Sequence, residues 1–214
     1  MSGTQWLLLG GGGHAHSVAA MLFGRGDTVA AWAGDGTLLS HLDAVRFDDD
    51  ATALRWAAEH DLAVALGVGD AAVRARLLGA ARAASLPLPP VVAASAVVSP
   101  NARLGVGAVV GELAMVGPGV TLGAGTIVNS GALVEHDCSV GDLTHVAPRA
   151  TLLGAVTAGA GCLIGAGAVV LPTVRLGERV RVGAGAVVTA DVAGDATVVG
   201  VPAREPRGSA GSGW

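Results

Sequence analysis

Two histidines carry most of the chemistry this sequence can offer. His136 stands between carboxylates in Glu135-His136-Asp137, and His145 in Thr144-His145-Val146-Ala147-Pro148. A histidine next to a carboxylate suits a general base, because that hydrogen bond fixes the imidazole tautomer and stabilises the protonated form. The plainer reading is a surface histidine in a polar corner. Zinc would need three protein ligands, and this stretch supplies two histidines, so no metal is expected. All 13 basic residues are Arg and none is Lys, which excludes a Lys nucleophile, a Schiff base or a P-loop lysine. Cys138 and Cys162 are 24 residues apart and read as separate buried thiols, not as a disulfide or a nucleophile pair.

The frame that must hold these histidines is a six-residue repeat. From Ala96 to Asp191 the chain divides without a gap into 16 hexapeptides. The third column, from Val98 through Leu104 and Val110 to Val188, is Val, Ile or Leu at fifteen of sixteen positions; Ala158 is the exception. The first column holds only Ala, Val, Thr and Cys, and the fourth is Gly nine times. That period fits a parallel β-helix with one flat side and one corner per hexapeptide. First- and third-column residues share a strand face and fill the coil. The fourth-column glycines are expected to supply corner angles that a Cβ would penalise. Three hexapeptides close one triangular coil, giving a prism about 26 Å tall. His136 falls in the fifth column and His145 in the second, so both imidazoles should project outward.

Composition agrees with this frame. Of 214 residues 51% are hydrophobic but only 3% aromatic, and 34 are Gly, as suits a core of Val, Leu and Ala. The net charge of −4 argues against nucleic-acid or membrane-surface binding. No apolar run is long enough to span a bilayer and no leader is recognisable, so a cytoplasmic protein is expected.

Residues 1–85 read as a small α/β domain, 91–204 as the β-helix, and 205–214, ending at Trp214, as a disordered tail. Strands are expected at Gln5–Leu9, Asp27–Ala33 and Leu62–Val68, with helices at His14–Phe23, Asp50–His60 and Ala71–Ala84. Leu86-Pro87-Leu88-Pro89-Pro90 is a stiff linker. Gly10-Gly11-Gly12-Gly13 joins the first strand to the first helix, where backbone N–H groups can approach a phosphate. Asp35 follows the second strand, where such folds place a carboxylate for a ribose hydroxyl. A tight turn with no ligand is the alternative. The α/β domain is expected to cap the first coil, since an open solenoid end exposes apolar core.

The combined motifs resemble the NeuD-type sugar acyltransferases. They are Gly12-Gly13-His14, Gly69-Asp70-Ala71-Ala72-Val73-Arg74, Asn129 to Cys138, His145-Val146-Ala147-Pro148, Ile164-Gly165-Ala166-Gly167 with Leu171-Pro172, and Gly200-Val201-Pro202-Ala203. The resemblance covers about residues 5–204. It implies a Rossmann-like N-terminal domain, a left-handed parallel β-helix and a homotrimer with its active site between neighbouring β-helices. It implies an acetyl-CoA-dependent N-acetyltransferase acting on the amine of a nucleotide-linked amino sugar. His136 is then the general base and Asp137 the neighbour that raises its basicity. His145, Ala166 and Ala184 would contact acetyl-CoA, and Gly12, Gly13, His14, Asp35 and Gly69 the nucleotide sugar. O-acetylation of a sialic acid, or a non-catalytic trimeric scaffold, are the other readings. His16, the short Ala33-Gly34-Asp35 loop and Asp70 depart from the family pattern, all in the half that would hold the acceptor.

Overall fold

The computed structural model describes residues 3–37 and 39–206; the expected tail lies outside them from residue 207 onward. The N-terminal unit runs β1 (Gln5–Leu9), α1 (Gly13–Gly24), β2 (Thr28–Ala33), β3 (Val45–Phe47), α2 (Asp50–Glu59), β4 (Ala63–Leu66) and α3 (Ala71–Ala83). Its four strands form one parallel sheet in the order β3-β2-β1-β4. Parallel strands covered on both faces read as continuous apolar runs, as Trp6-Leu7-Leu8-Leu9 and Ala63-Val64-Ala65-Leu66 do. Strand β3 escapes that test: it has three residues, none of them fully buried. Asp49 and Asp70 start α2 and α3 by accepting from the backbone N–H of Thr52 and Val73, at 2.8 and 2.9 Å.

From Val91 to Val198 the chain winds through three parallel sheets of seven, six and five strands, each strand two residues long. This is the arrangement of a hexapeptide-repeat β-helix, consistent with the left-handed class. The coil reaches past the repeat at both ends, through Val91–Val92 and Thr197–Val198. The seven-stranded face contains Ile127–Val128, His145–Val146 and Leu163–Ile164, in register 18 residues apart. The six-stranded face contains Met115–Val116 and Leu133–Val134, and the five-stranded face Ser139–Val140. First- and third-column side chains are buried together along the axis. Ala158 lies between Val140 and Leu176 in its sheet and is itself buried, so the small residue is absorbed within the stack. Thr144, Cys138 and Cys162 also point inward, each donating to a corner carbonyl of the next coil.

The corners correct the expected role of the glycines. The left-handed backbone lies in the sixth column, at Gly107, Gly125, Gly131, Asp137, Leu143 and Arg149 among others, with φ near +60°. The fourth-column glycines have no positive φ. They are small because corners stack: a Cβ on Gly141 or Gly159 would stand 2.6 or 2.7 Å from a backbone nitrogen of the next coil.

The placement of the N-terminal unit is also corrected. It docks on the side of the β-helix, not over its end. Helix α1, Trp6 and Leu8 share one buried cluster with Val91, Ala93, Val109 and Ile127, the outward residues at the start of the seven-stranded face. On the sheet's other side, α2 and α3 form a second cluster that reaches Ala124 and, at its edge, Leu143. Burial of Val109 and Ile127 contributes about 1.5–3 kcal/mol each, and it exists only because this unit covers that face. Val98 and Leu104, at the first coil's end, stay partly exposed.

Candidate functional site

His136 occupies the corner between the six-stranded and five-stranded faces. Its Nδ1 lies 3.0 Å from Asp137 Oδ2. Asp137 has φ +60°, and that left-handed turn carries its carboxylate to the imidazole. Glu135 instead accepts the backbone N–H of His136, at 3.3 Å. A carboxylate at Nδ1 makes Nδ1 the donor and leaves Nε2 to accept a proton. The side chain is 57% exposed. Its ring lies against Gly154, one coil further on, where a Cβ would come within 2.6 Å of both Cε1 and Nε2. Gly154 has no positive φ, so its glycine serves the imidazole and not the backbone. Sequence reasoning missed it, although it is the only glycine in the fifth column and follows His136 by 18 residues.

His145 has a different setting. It projects outward from the seven-stranded face, as expected, but the N-terminal unit partly covers it. Its ring centroid is 6.3 Å from that of His14. Burial is the main reason its pKa falls to about 4, with Arg74 and His14 adding to the effect. His14 falls to about 4 as well, from burial first and Arg74 second, and its Nε2 is buried without a hydrogen-bond partner. Both rings are therefore neutral at physiological pH. Asn129 fixes the tautomer of His145. Its Oδ1 accepts from the Ser130 N–H at 2.8 Å, which turns Nδ2 toward His145 Nε2 at 3.1 Å. Nε2 is the acceptor, and Nδ1 carries the proton.

The three expected substrate glycines share one setting. At Gly12, Gly13 and Gly69 an added Cβ would meet nothing, and none has a positive φ. The fold does not require glycine there: Gly12 and Gly13 leave open space at the N-terminus of α1, whose N-cap Gly12 offers no capping side chain, and Gly69 leaves it before α3. Gly10, with φ +135°, and Gly67 are needed by the chain itself, because a Cβ at either would strike neighbouring backbone. Asp35 stands apart. It lines a recess with Gly10, Gly11, Asp48, Asp49, Asp50 and Arg76 that does not include Gly12, Gly13, His14 or Gly69.

Ala166 and Ala184 are exposed and stacked at the corner after the seven-stranded face. Beside them an apolar cleft of about 400 Å³ is lined by Leu163, Gly165, Arg181, Val182, Gly183, Ala184, Thr197 and Val199. One chain thus brings His14, His145 and Asn129 together. It leaves His136 and Ala184 on different edges of the prism, with the six-stranded face between them. Among the described residues no group of three or more His, Cys, Asp or Glu is placed to hold a metal ion. Burial raises the pKa of both cysteine thiols, which disfavours the nucleophilic thiolate.

Residues 159–190 match the bacterial transferase hexapeptide model of six repeats. No curated protein sequence matches the chain. Among solved structures, PerB from Caulobacter crescentus in complex with CoA and GDP-perosamine is 35% identical over 94% of this chain and 97% of that one, with a TM-score of 0.88. The acetyltransferase domain of PglB from Neisseria gonorrhoeae in complex with acetyl coenzyme A is 30% identical over 95% and 100%, with a TM-score of 0.86. WeeI from Acinetobacter baumannii, 24% identical with a TM-score of 0.81 over 95% and 100%, shares the fold. The identity to PerB across nearly the whole of both chains extends the likeness beyond the repeat to the N-terminal unit, and on that ground the chain belongs to the hexapeptide-repeat sugar acetyltransferases of the NeuD type.

Proposed function

We propose that the protein transfers the acetyl group of acetyl-CoA to the amine of a nucleotide-linked amino sugar. The observation that carries this reading is His136, with Nδ1 on Asp137 and Nε2 left to take a proton. The amine nitrogen attacks the thioester carbonyl, a C–N bond forms and the C–S bond breaks. His136 takes the proton released from nitrogen and returns it to the CoA sulfur. Direct transfer needs no acyl-enzyme, in keeping with two inward-facing thiols. PerB, bound to CoA and GDP-perosamine, supports both substrate classes.

The nucleotide sugar is assigned to the open glycines Gly12, Gly13 and Gly69 beside His14, and the CoA arm to Ala166, Ala184, His145 and the apolar cleft. Asp35 belongs to this proposal only through the adjoining acidic recess. The N-terminal unit is read as Rossmann-like, from its parallel order β3-β2-β1-β4 with helices on both sides. A homotrimer completes the site. The outward row of the six-stranded face, Val97, Met115, Leu133, Thr151, Val169 and Val187, is apolar except at Thr151, with Val97 61% and Met115 41% exposed. Packing a neighbour on that face would cover it and carry a second prism to the edge where His136 stands. A cytoplasmic setting suits the two free cysteines.

The test is CoA-thiol release against GDP-, UDP- and dTDP-linked amino sugars and free sialic acid, with the acetylated product identified by mass. An amide product on one amino sugar is expected. Transfer only to a hydroxyl would replace this reading with O-acetylation, and acetyl-CoA bound without transfer to any acceptor would favour the scaffold.

A further inference from the structure

The junction between the N-terminal unit and the β-helix holds a cation that the reaction just described does not use. Arg74 projects from α3 and has 0% exposure. Its guanidinium donates to four carbonyls: Nε to Gly125 at 2.7 Å, Nη1 to Val68 at 3.1 Å and to Gly69 at 2.6 Å, and Nη2 to Leu143 at 2.5 Å. Val68 and Gly69 form the turn after β4. Gly125 and Leu143 are stacked corner residues of the β-helix, and Gly125 is open enough for the Arg74 stem to lie against it. Among the described residues no carboxylate pairs with Arg74; Asp70 acts on it only through space. A buried charge is an uneconomical way to fill a core, since apolar side chains of similar volume stabilise as well or better. What an apolar side chain cannot do is bond both halves of the molecule in fixed geometry, as a planar fork of five donors can.

We propose that Arg74 is a positioning residue for acetyl transfer: it ties the Gly69 turn to the β-helix corners and so fixes the junction across which His14 and His145 face each other. This rests on the acetyltransferase reading of the site. Gly69 is one of the open glycines assigned to the nucleotide sugar, and His145 one of the residues assigned to acetyl-CoA. A single guanidinium therefore sets the distance between the two substrate halves of one chain. Its charge also faces both imidazoles and joins burial in opposing their protonation. The other groups facing the pair are each ring toward the other and the uncharged Asn129 from the β-helix; the carboxylate of Asp70 acts on Arg74. Arg74 keeps its charge at neutral pH even though burial lowers its pKa to about 10.

The experiment compares full-length Arg74→Met and Arg74→Lys with the parent. It reads kcat and KM for the nucleotide-linked amino sugar, the fraction folded, and the titration of the histidine Cε1 signals by NMR. For Arg74→Met, kcat/KM is expected to fall about tenfold or more per folded molecule, and the two low-pKa imidazoles to titrate at higher pH. Arg74→Lys keeps a charge without the fork; it is expected to hold the imidazole titrations near those of the parent while leaving kcat/KM reduced. It also serves as the folded variant if the Met protein is lost. Variants that lose only thermal stability, with kinetics per folded molecule and imidazole titrations unchanged, overturn the proposal. A parent protein that acetylates no amino sugar overturns the acetyltransferase reading instead. The coupling itself then stands or falls on whether Arg74→Met shifts the imidazole titrations and speeds hydrogen exchange in the Gly69 turn.

Discussion

The two histidine regions differ in nearly every respect that matters to proton chemistry. His136 sits on an exposed corner, held by a carboxylate at 3.0 Å and backed by a glycine. His145 sits under a second structural unit, with an amide for a partner and a buried guanidinium nearby. The first setting orients an imidazole, with Nδ1 on a carboxylate and Nε2 left to accept a proton. The second suppresses the cation and leaves a neutral ring whose Nε2 accepts from Asn129 and whose Nδ1 is the donor. Two histidines nine residues apart in sequence are thus given opposite roles by their neighbours. The fold decides which neighbours those are: the coil brings Gly154 to His136 eighteen residues on, and the N-terminal unit brings His14 and Arg74 to His145.

Removing the accepting nitrogen should break this contrast most sharply. His136→Ala is expected to lower kcat by a factor of about 10² or more, with acetyl-CoA binding by calorimetry unchanged. Gly154→Val should come next. Its side chain would occupy the space of the imidazole, and displacing a base by about 1 Å can cost up to 10² in rate; circular dichroism and the oligomeric state should stay those of the parent. Asp137→Asn keeps the shape but not the charge, and a loss of about tenfold in kcat is expected.

The second region is sharpened by acid. The buried His14 and His145, near 4 in the folded protein, return to about 6.5 on unfolding. The unfolded chain therefore binds protons first as pH falls, so stability is lost from about pH 6.5 down to pH 4 and does not change from this source above pH 6.5. At pH 5 each contributes a loss on the order of 2 kcal/mol. Urea denaturation of His145→Gln should show a smaller drop between pH 7.5 and pH 5 than the parent. The smallest effect belongs to Gly69→Ala. A Cβ there meets no protein atom, so stability should hold while KM for the nucleotide sugar rises severalfold.

Much of this was legible in the sequence because the period leaves little choice. The third-column aliphatics, the inward Cys138 and the outward His136 follow from counting by six. The short β3 was hidden because Val45-Arg46-Phe47 has no apolar run. The sideways docking of the N-terminal unit was hidden because Val91, Val109 and Ile127 look like any second-column residues, and only the tertiary contact makes them core. Arg74 was visible as one letter of a motif, but its four carbonyl partners are separated from it by up to 69 residues. The glycine columns were misjudged because a glycine needed for close stacking and one needed for positive φ are the same letter. Gly154 could have been found by asking what lies one coil beyond the candidate base.

The most direct test of the central claim pairs binding with turnover in one variant. Acetyl-CoA affinity and CoA-thiol release on the preferred nucleotide-linked amino sugar would be measured for the parent and for His136→Ala. Unchanged affinity with release reduced about 10²-fold or more is the predicted result. Release that survives the substitution would contradict His136 as the base and move the chemistry elsewhere on the molecule.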